Sequence, residues 1–573
     1  MSAVLPKSQL LGPFIGNVST DAATIWLQIV TLAEGEVRQV FVTLHKGDTG
    51  APVAAAGVIN AEYDALKVGT VRLDGLEPDT IYYYKLWDDA TYTKATDTNG
   101  LTAGDLHFRT LPEADEDQLD FLLLSCHNPE TSPKDGADGF AVWARMPEIT
   151  RQNKNVRFAI LAGDQIYADE VETRAQKESD LRKRQDLYLG VYRAFWDNIH
   201  YRKVLCSLPA YLMWDDHDIT DGWGSREESF RKDQPTEFKD DWKRLIEAAR
   251  STFRQMQATR IPELLPEDVA NHSFDFCFKI GRAGFAVPDL RSNRNVRLPR
   301  IMLPDQLEAI RGWVQKERAN LDVLFFVSSV VFSHEAPQVT GFILRIWYRV
   351  LIMVAWLKKL RLLSAFRKYF DKNIGDLRDD INDGWGADVN RAEADRVLDF
   401  LFDLQNPPAP VQAIKVVILS GDIHTPGYST LYSSDPRHEK RAIIPHIVSS
   451  PVAYTPLNWL AEAIFRHLTI TVALGKKGTY TAQISHHFSF RNAVIISLRK
   501  FPGARVDEPE THLKVKYYLE HFPEPQIMLF DLNRSSHREN IKWPDTRVVS
   551  VKWMGRLNRS NCSSTLTVFS TPQ

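Results

Sequence analysis

The residues in this chain best able to do chemistry finish four apolar runs: Phe121–Cys126 (FLLLSC), Phe158–Asp164 (FAILAGD), Tyr211–Asp218 (YLMWDDHD) and Val416–His424 (VVILSGDIH). Asp164, in Gly163-Asp-Gln-Ile-Tyr167, is the centre of the set. A carboxylate at a strand end can bridge two cations with its two oxygens, and the preceding glycine lets the backbone turn sharply. Two cations ~4 Å apart can clamp the attacking and leaving oxygens of a phosphoryl displacement. Tyr167 would add a phenolate, a donor that favours a trivalent ion such as Fe³⁺.

The other run ends supply donors of different kinds. Asp215, Asp216, His217 and Asp218 put three carboxylates and an imidazole in consecutive positions. Like charges this close repel unless a cation or an arginine compensates them. Asp216 reads as a metal ligand and His217 as a proton donor or phosphate contact, with Asp221 as a further oxygen. Asp422 and His424 are two positions apart, so at strand spacing they point to the same side. Cys126 would bind a trivalent ion as the thiolate. Each motif also has a structural reading: a capping aspartate, a solvated acidic turn, a satisfied histidine, an inert buried thiol. Their repetition at the ends of buried strands, the carboxyl edge of a sheet, favours a site.

The elements that must position these residues can be read more coarsely. A chain of 573 residues exceeds a single-core domain. Residues 10–110 alternate in short runs, Ala23–Val30, Val40–Leu44, Val71–Leu73 and Ile81–Leu86, with turns between them, which predicts a β-sandwich spanning 1–112. The stretch Leu76–Tyr84 resembles the turn and strand of a fibronectin type III-like domain. An acidic linker, Pro112–Gln118, leads into a second domain, 118–573. There, strands alternate with helical patterns at Tyr192–Tyr201, Asp240–Gln257 and Arg391–Leu404, and strands return at Ala493–Leu498, Leu513–Leu519 and Gln526–Phe530. That order suits an α/β core closed by an antiparallel layer.

In order and spacing, Ser125-Cys126, Gly163-Asp164-x-x-Tyr167, Trp214-Asp-Asp216-His217-Asp218 and Gly421-Asp422-x-His424 resemble the PhoD-like alkaline phosphatase (alkaline phosphatase D) family of metallophosphatases. The likeness extends over most of the chain, roughly 10–500. It implies a four-layer α/β/β/α metallophosphatase core preceded by a fibronectin type III-like β-sandwich. It further implies Fe³⁺ with one or more divalent cations, Ca²⁺ foremost, with Zn²⁺, Mn²⁺ or Mg²⁺ as alternatives. On matching positions, Cys126, Asp164, Tyr167 and His424 would hold iron, Asp164 would bridge, and Asp216 and Asp422 would bind the divalent side. His217 would contact phosphate or protonate the leaving oxygen. Asp289-Leu-Arg291 resembles a family segment in which Arg291 either steadies phosphate through a bidentate contact or forms a buried salt bridge. The chain carries Asp221 where secreted members tend to have asparagine, which leaves the divalent ligand set open.

The activity these residues imply is hydrolysis of phosphate monoesters or diesters by a metal-activated hydroxide. The alternative is an inactive metallophosphatase fold serving as a binding or membrane-associated scaffold. No Gly-x-Ser-x-Gly elbow supports a serine hydrolase. A net charge of −3 is not that of a globally basic nucleic-acid binder, and no basic residues interleave with aromatics around the motifs, so no nucleic acid is expected. Four cysteines, Cys126, Cys206, Cys277 and Cys562, are too few and scattered for a disulfide framework. The first twenty residues show no secretory pattern, so a cytoplasmic location is expected. Residues 341–370 carry seven positive charges and no acid among tryptophans and leucines, the composition of an interfacial helix drawn to anionic lipid. The expected substrate is thus a small-molecule or lipid phosphate ester, with oligomeric state left open.

Overall fold

The computed structural model describes residues 9–532 apart from 114–117, 131–138, 226–239, 266–272, 296–297, 299, 334–382, 388, 409, 439–442, 455–469, 476–477, 488–490, 502–509 and 521–523. The basic apolar segment 341–370 and Cys562 therefore lie outside the described residues. Among the described residues, no helix is long and apolar enough to cross a membrane.

The N-terminal region is β-rich. Strands β1 (Leu10–Val18), β2 (Ala22–Ile29), β3 (Val37–Lys46), β4 (Val53–Glu62), β5 (Val68–Asp74), β6 (Ile81–Trp87) and β7 (His107–Arg109) form an antiparallel sheet in the order β1-β2-β5-β4-β3-β6-β7. Strands β4 and β5 pair at Glu62 and Val68 only. Beyond that joint they pack face to face, since a Cβ on Gly57 would come within 2.7 Å of Val71 and Leu73. Strand β6 alternates clearly, with Tyr82, Tyr84 and Leu86 inward, whereas β2, also announced by the sequence, is buried nearly throughout. Strand β1 is buried along nearly all its length, and β4 is alanine-rich and largely exposed, so neither alternates.

The rest is an α/β core built on two sheets. In one, β8 (Gln118–Leu124), β9 (Val156–Ala162) and β10 (Ala210–Met213) are parallel, and β19 (Asn492–Phe501), β20 (Glu510–Leu519) and β21 (Gln526–Asp531) extend it antiparallel beside β8. The other runs β11 (Phe276–Ile280), β12 (Ala283–Val287), β13 (Val323–Ser328), β14 (Lys415–Ser420), β16 (Ile443–Val448), β15 (Gly427–Ser433), β18 (Tyr480–His487) and β17 (Ile470–Leu474). The period of two sorts β13 between two cores. Val323, Phe325 and Val327 face Phe121 and the first sheet, whereas Leu324 and Phe326 join Leu307, Ile310, Leu398 and Leu401 from helices 304–317 and 391–405.

Seven helices accompany the sheets among the described residues: α1 (Ala141–Gln152), α2 (Glu172–Lys177), α3 (Leu181–Trp196), α4 (Ile199–Leu205), α5 (Asp240–Met256), α6 (Pro304–Glu317) and α7 (Arg391–Gln405). The helical pattern at Tyr192–Tyr201 proves to straddle two of them. Asn198, extended at φ −108°, caps α4 by accepting from the His200 N–H at 2.8 Å, and that break starts a new helix.

Candidate metal centre

Four strands deliver donors at the same offset. Cys126, Asp164, Asp215 and Asp422 are each the second residue past the end of β8, β9, β10 and β14. The first three strands run parallel and nearly flush, with Met213 opposite Ala162 and Leu124 opposite Leu161. Strand β14 brings the fourth from the facing sheet. There the Cys126 Sγ lies 3.4 Å from the Asp422 carbonyl and the Ser125 hydroxyl donates to the Ser449 carbonyl.

The backbone at these ends is strained. Cys126, Asp164, Asp422 and His424 take φ of 57°, 56°, 71° and 52°, four of the nine described non-glycine residues in left-handed conformation. Such residues each cost about 1–3 kcal/mol and persist where the surroundings over-determine them. Gly163 is required twice, by φ 90° and because a Cβ would sit 2.7 Å from the Asp215 Cβ. Gly421 is required by packing, since a Cβ would overlap the Ala162 carbonyl and the Ser125 side chain.

Three donor groups converge on Asp164: Cys126 with His424, Asp216 with His217, and Asp215 with Asp422, each set of donor atoms lying within 4.8 Å of one another. The Cys126 Sγ is 3.3 Å from Asp164 Oδ2, while the Tyr167 hydroxyl lies 3.4 Å from Asp164 Oδ2 and 3.1 Å from His424 Nε2. All six sequence-assigned ligands, Cys126, Asp164, Tyr167, Asp216, Asp422 and His424, thus occupy one region. Asp422 joins Asp164 through Asp215, a residue the motif reading passed over in favour of Asp216. The signal for it was the shared offset of two from the strand end.

The residues fit a cation cluster on two observations. Asp164 Oδ1 and Asp215 Oδ2 are buried without a hydrogen-bond partner among the described residues, which is costly for a carboxylate unless an ion takes the place of the missing donors. Charge points the same way. Burial, with the neighbouring aspartates, pushes Asp164 and Asp422 well above the usual carboxylate range, and burial pushes Asp215 up to about 6 despite Arg291. Burial likewise raises the Cys126 thiol and the Tyr167 phenol, with Asp164 adding to both. His424 is driven down to about 3 by burial and by His217, which keeps it neutral as a ligand must be. Bound cations reverse this logic and favour the deprotonated donors.

His217 stands at the open edge with 17% of its side chain exposed, its Nδ1 2.9 Å from Asp169. Burial lowers its pKa, but Asp169 and Asp216 outweigh burial and hold the imidazolium well above its usual range. Its ring stacks on Tyr167 at 4.0 Å, and Tyr454 stacks on His424 at 3.9 Å. Asp169 and Tyr454 were not singled out in the sequence. Asp221 bonds through its backbone to Asp169 and belongs to none of the three donor groups.

Of the two roles open to Arg291, the structure shows the buried salt bridge. Its exposure is 0%, and all five N–H groups are engaged. Nε meets Asp215, Nη1 meets the Trp223 carbonyl at 3.2 Å and Asp383 at 2.7 Å, and Nη2 meets Asp216 at 3.3 Å and Asp383 at 2.6 Å. The bidentate partner is Asp383 rather than a phosphate. Asp383 also pairs with Arg294 at 3.2 Å. Asp289, two residues before Arg291, accepts from the Trp214 indole at 2.8 Å and so ties the arginine segment to the β10 loop.

Residues 121–318 match the family model described as PhoD-like phosphatase. Among solved structures, the chain is similar to that of PhoD at 14% identity, covering 93% of this chain and 91% of that one, with a TM-score of 0.58. A redesigned β-sandwich protein aligns at 17% identity over 17% of this chain and 89% of its own, with a TM-score of 0.12. No curated protein sequence matches the chain. The segment that supplies Cys126, Asp164, Asp215 and Asp216 is thus the one that matches the PhoD-like phosphatase model, within a fold shared with PhoD over 93% of the chain.

Proposed function

We propose that this protein hydrolyses phosphoric esters, monoesters or diesters, at the cluster centred on Asp164. The observation that carries the reading is the convergence of three donor groups on one buried carboxylate whose Oδ1 has no protein partner. Cys126, Tyr167 and His424 with Asp164 would hold Fe³⁺, and Asp215, Asp216 and Asp422 would hold the divalent side, Ca²⁺ foremost. When bound, these cations supply Lewis acidity that neutralises phosphate charge and acidifies water.

The chain's own residues do the rest. Asp169 occupies His217 Nδ1, so Nε2 is the atom that can give a proton to the leaving oxygen or bond the phosphate. Asp169 beside Nδ1 favours the charged imidazolium that both tasks need. Arg291 acts through others: it aligns Asp215 and Asp216 and offsets part of their repulsion. The strained ligand backbones are held by close packing between the two sheets, so the donors are oriented before a cation arrives.

On this reading the core is a four-layer α/β/β/α metallophosphatase unit, supported by the sorting of β13 side chains between two hydrophobic cores. The strand order of the N-terminal sheet supports a fibronectin type III-like sandwich over 1–112, ahead of a catalytic unit from 118. The basic apolar composition of 341–370 supports action at a membrane surface on lipid phosphate esters. Hydrolysis of nitrophenyl phosphate and bis-nitrophenyl phosphate by chelated, Ca²⁺-loaded and Fe-loaded protein tests the activity, with Asp164→Asn as control. Activity that survives chelation, or that survives in Asp164→Asn, would overturn the proposal.

A further inference from the structure

We infer that Arg260 is a positioning residue through which the N-terminal sheet holds the two central metal-ligand loops in place; this rests on the metal reading given above. Arg260 is fully buried, and among the described residues its Nη1 and Nη2 have no hydrogen-bond partner. The guanidinium lies instead in a box of rings, 5.1 Å from Phe14, 5.2 Å from Trp26 and 4.9 Å from Trp196. Phe14 and Trp26 come from β1 and β2 of the N-terminal sheet, whereas Trp196 ends α3 of the core. A buried arginine held by π faces is a directional contact that exists only while both regions stay docked.

Two routes lead from this box to the ligands. The Trp196 indole donates to the Gln165 carbonyl at 3.0 Å, and the Gln165 side chain donates to the Gly163 carbonyl at 2.7 Å, so the loop bearing Asp164 is held on both sides of that residue. Gln257, in the same short turn as Arg260, donates to Asp218 Oδ1 at 2.9 Å. Asp218 Oδ2 in turn accepts from the backbone N–H of Asp215 at 2.9 Å and of Gln165 at 3.3 Å. The β9 and β10 loops are therefore fastened to each other and to the Arg260 turn. The Trp26 indole adds a bond to the Gln255 carbonyl at 3.0 Å, so the N-terminal sheet grips the residues leading into that turn directly. Substituting this box should loosen the donors without touching any of them.

The test is direct titration of the full chain with Ca²⁺ and with Fe³⁺ by calorimetry and metal analysis, comparing the natural protein, Arg260→Met, Arg260→Lys and Phe14→Leu. Circular dichroism checks that each variant is folded. Partners bonded directly to metal ligands change cation affinity by about 10–100-fold. Arg260 acts further out, so Arg260→Met should weaken cation binding by about 10-fold, the lower end of that range, with Arg260→Lys between it and the natural protein. Phe14→Leu, a milder change on the N-terminal sheet, should weaken binding in the same direction and keeps the question answerable if Arg260→Met does not fold. Variants that melt earlier yet bind cations as the natural protein does would overturn the inference and leave the metal reading intact. A natural protein that binds no cation would overturn both.

Discussion

Replacing Arg291 by lysine separates two roles that a motif alone cannot distinguish. Arg291→Lys keeps the positive charge but exchanges five donors in a rigid fork for three on a point charge. All five guanidinium donors are used in the structure, on Asp215, Asp216, Asp383 and the Trp223 carbonyl, so at least two bonds are lost. Hydrogen bonds to charged groups contribute about 1.5–3 kcal/mol each, which puts the destabilisation at roughly 3–6 kcal/mol. That is a large share of the roughly 5–15 kcal/mol that holds a native protein together. The assay is thermal unfolding beside steady-state kinetics on nitrophenyl phosphate, for Arg291→Lys, Asp383→Asn and the double variant. The thermal midpoint should fall clearly in Arg291→Lys, and the two substitutions should be non-additive by about 0.5–3 kcal/mol because their side chains share bonds. A phosphate clamp predicts the reverse pattern. If Arg291→Lys melts like the natural protein while KM rises tenfold, the buried-hub reasoning is refuted.

Three further outcomes are expected. Without cations, the stability contributed by the site carboxylates should fall as pH rises from about 4 towards 7. The buried neutral histidines His127, His424 and His446, whose pKa values burial lowers, offset this in part. Asp215 and Asp218 titrate near 6 and 7 when folded, so the folded state holds protons that the unfolded chain has released in that window. Asp164 and Asp422 are shifted in the same direction. Saturating cation should flatten that slope, and thermal melts across pH 4–8 with and without Ca²⁺ measure it; an unchanged slope contradicts the buried-charge account. Gly163→Ala should cost about 1–3 kcal/mol from the left-handed backbone alone, and should reduce cation binding because the new methyl meets Asp215. Binding and melting equal to the natural protein would remove the packing argument. Asp169→Asn should slow hydrolysis of alkyl phosphates by about 10-fold or more while sparing nitrophenyl phosphate, whose leaving group needs little protonation. Equal losses on both substrates would mean that His217 is not the proton donor.

Much of the centre was legible in the sequence because a buried strand and a polar terminus are both local signals. Cys126, Asp164, Tyr167, Asp216, His217, Asp422 and His424 each announced themselves at the end of an apolar run, and the structure gathers them. What stayed hidden depends on long-range geometry. Asp383 reaches Arg291 across a sequence separation of 92, and nothing near either residue marks the other. Asp215 and Asp216 are chemically identical neighbours, told apart only by where β10 ends. Asp169 lies on a short turn whose meaning comes from His217, 48 residues away. Strand β6 was readable from its alternation and β2 from its β-branched and aromatic run, whereas β1, interrupted by Gly12-Pro13 and Gly16 and buried along nearly all its length, carried neither signal. The break between α3 and α4 was masked by helix-forming residues on both sides of Asn198.

Anomalous diffraction from crystals of the cation-loaded protein, collected at and below the iron absorption edge, tests the central claim most directly. Two peaks are expected, one with iron signal among Cys126, Tyr167, His424 and Asp164, and a second against Asp164, Asp215, Asp216 and Asp422, each with donors at about 2.0–2.6 Å. Peaks confined to surface carboxylates, with Asp164 Oδ1 left facing protein or water alone, would contradict it.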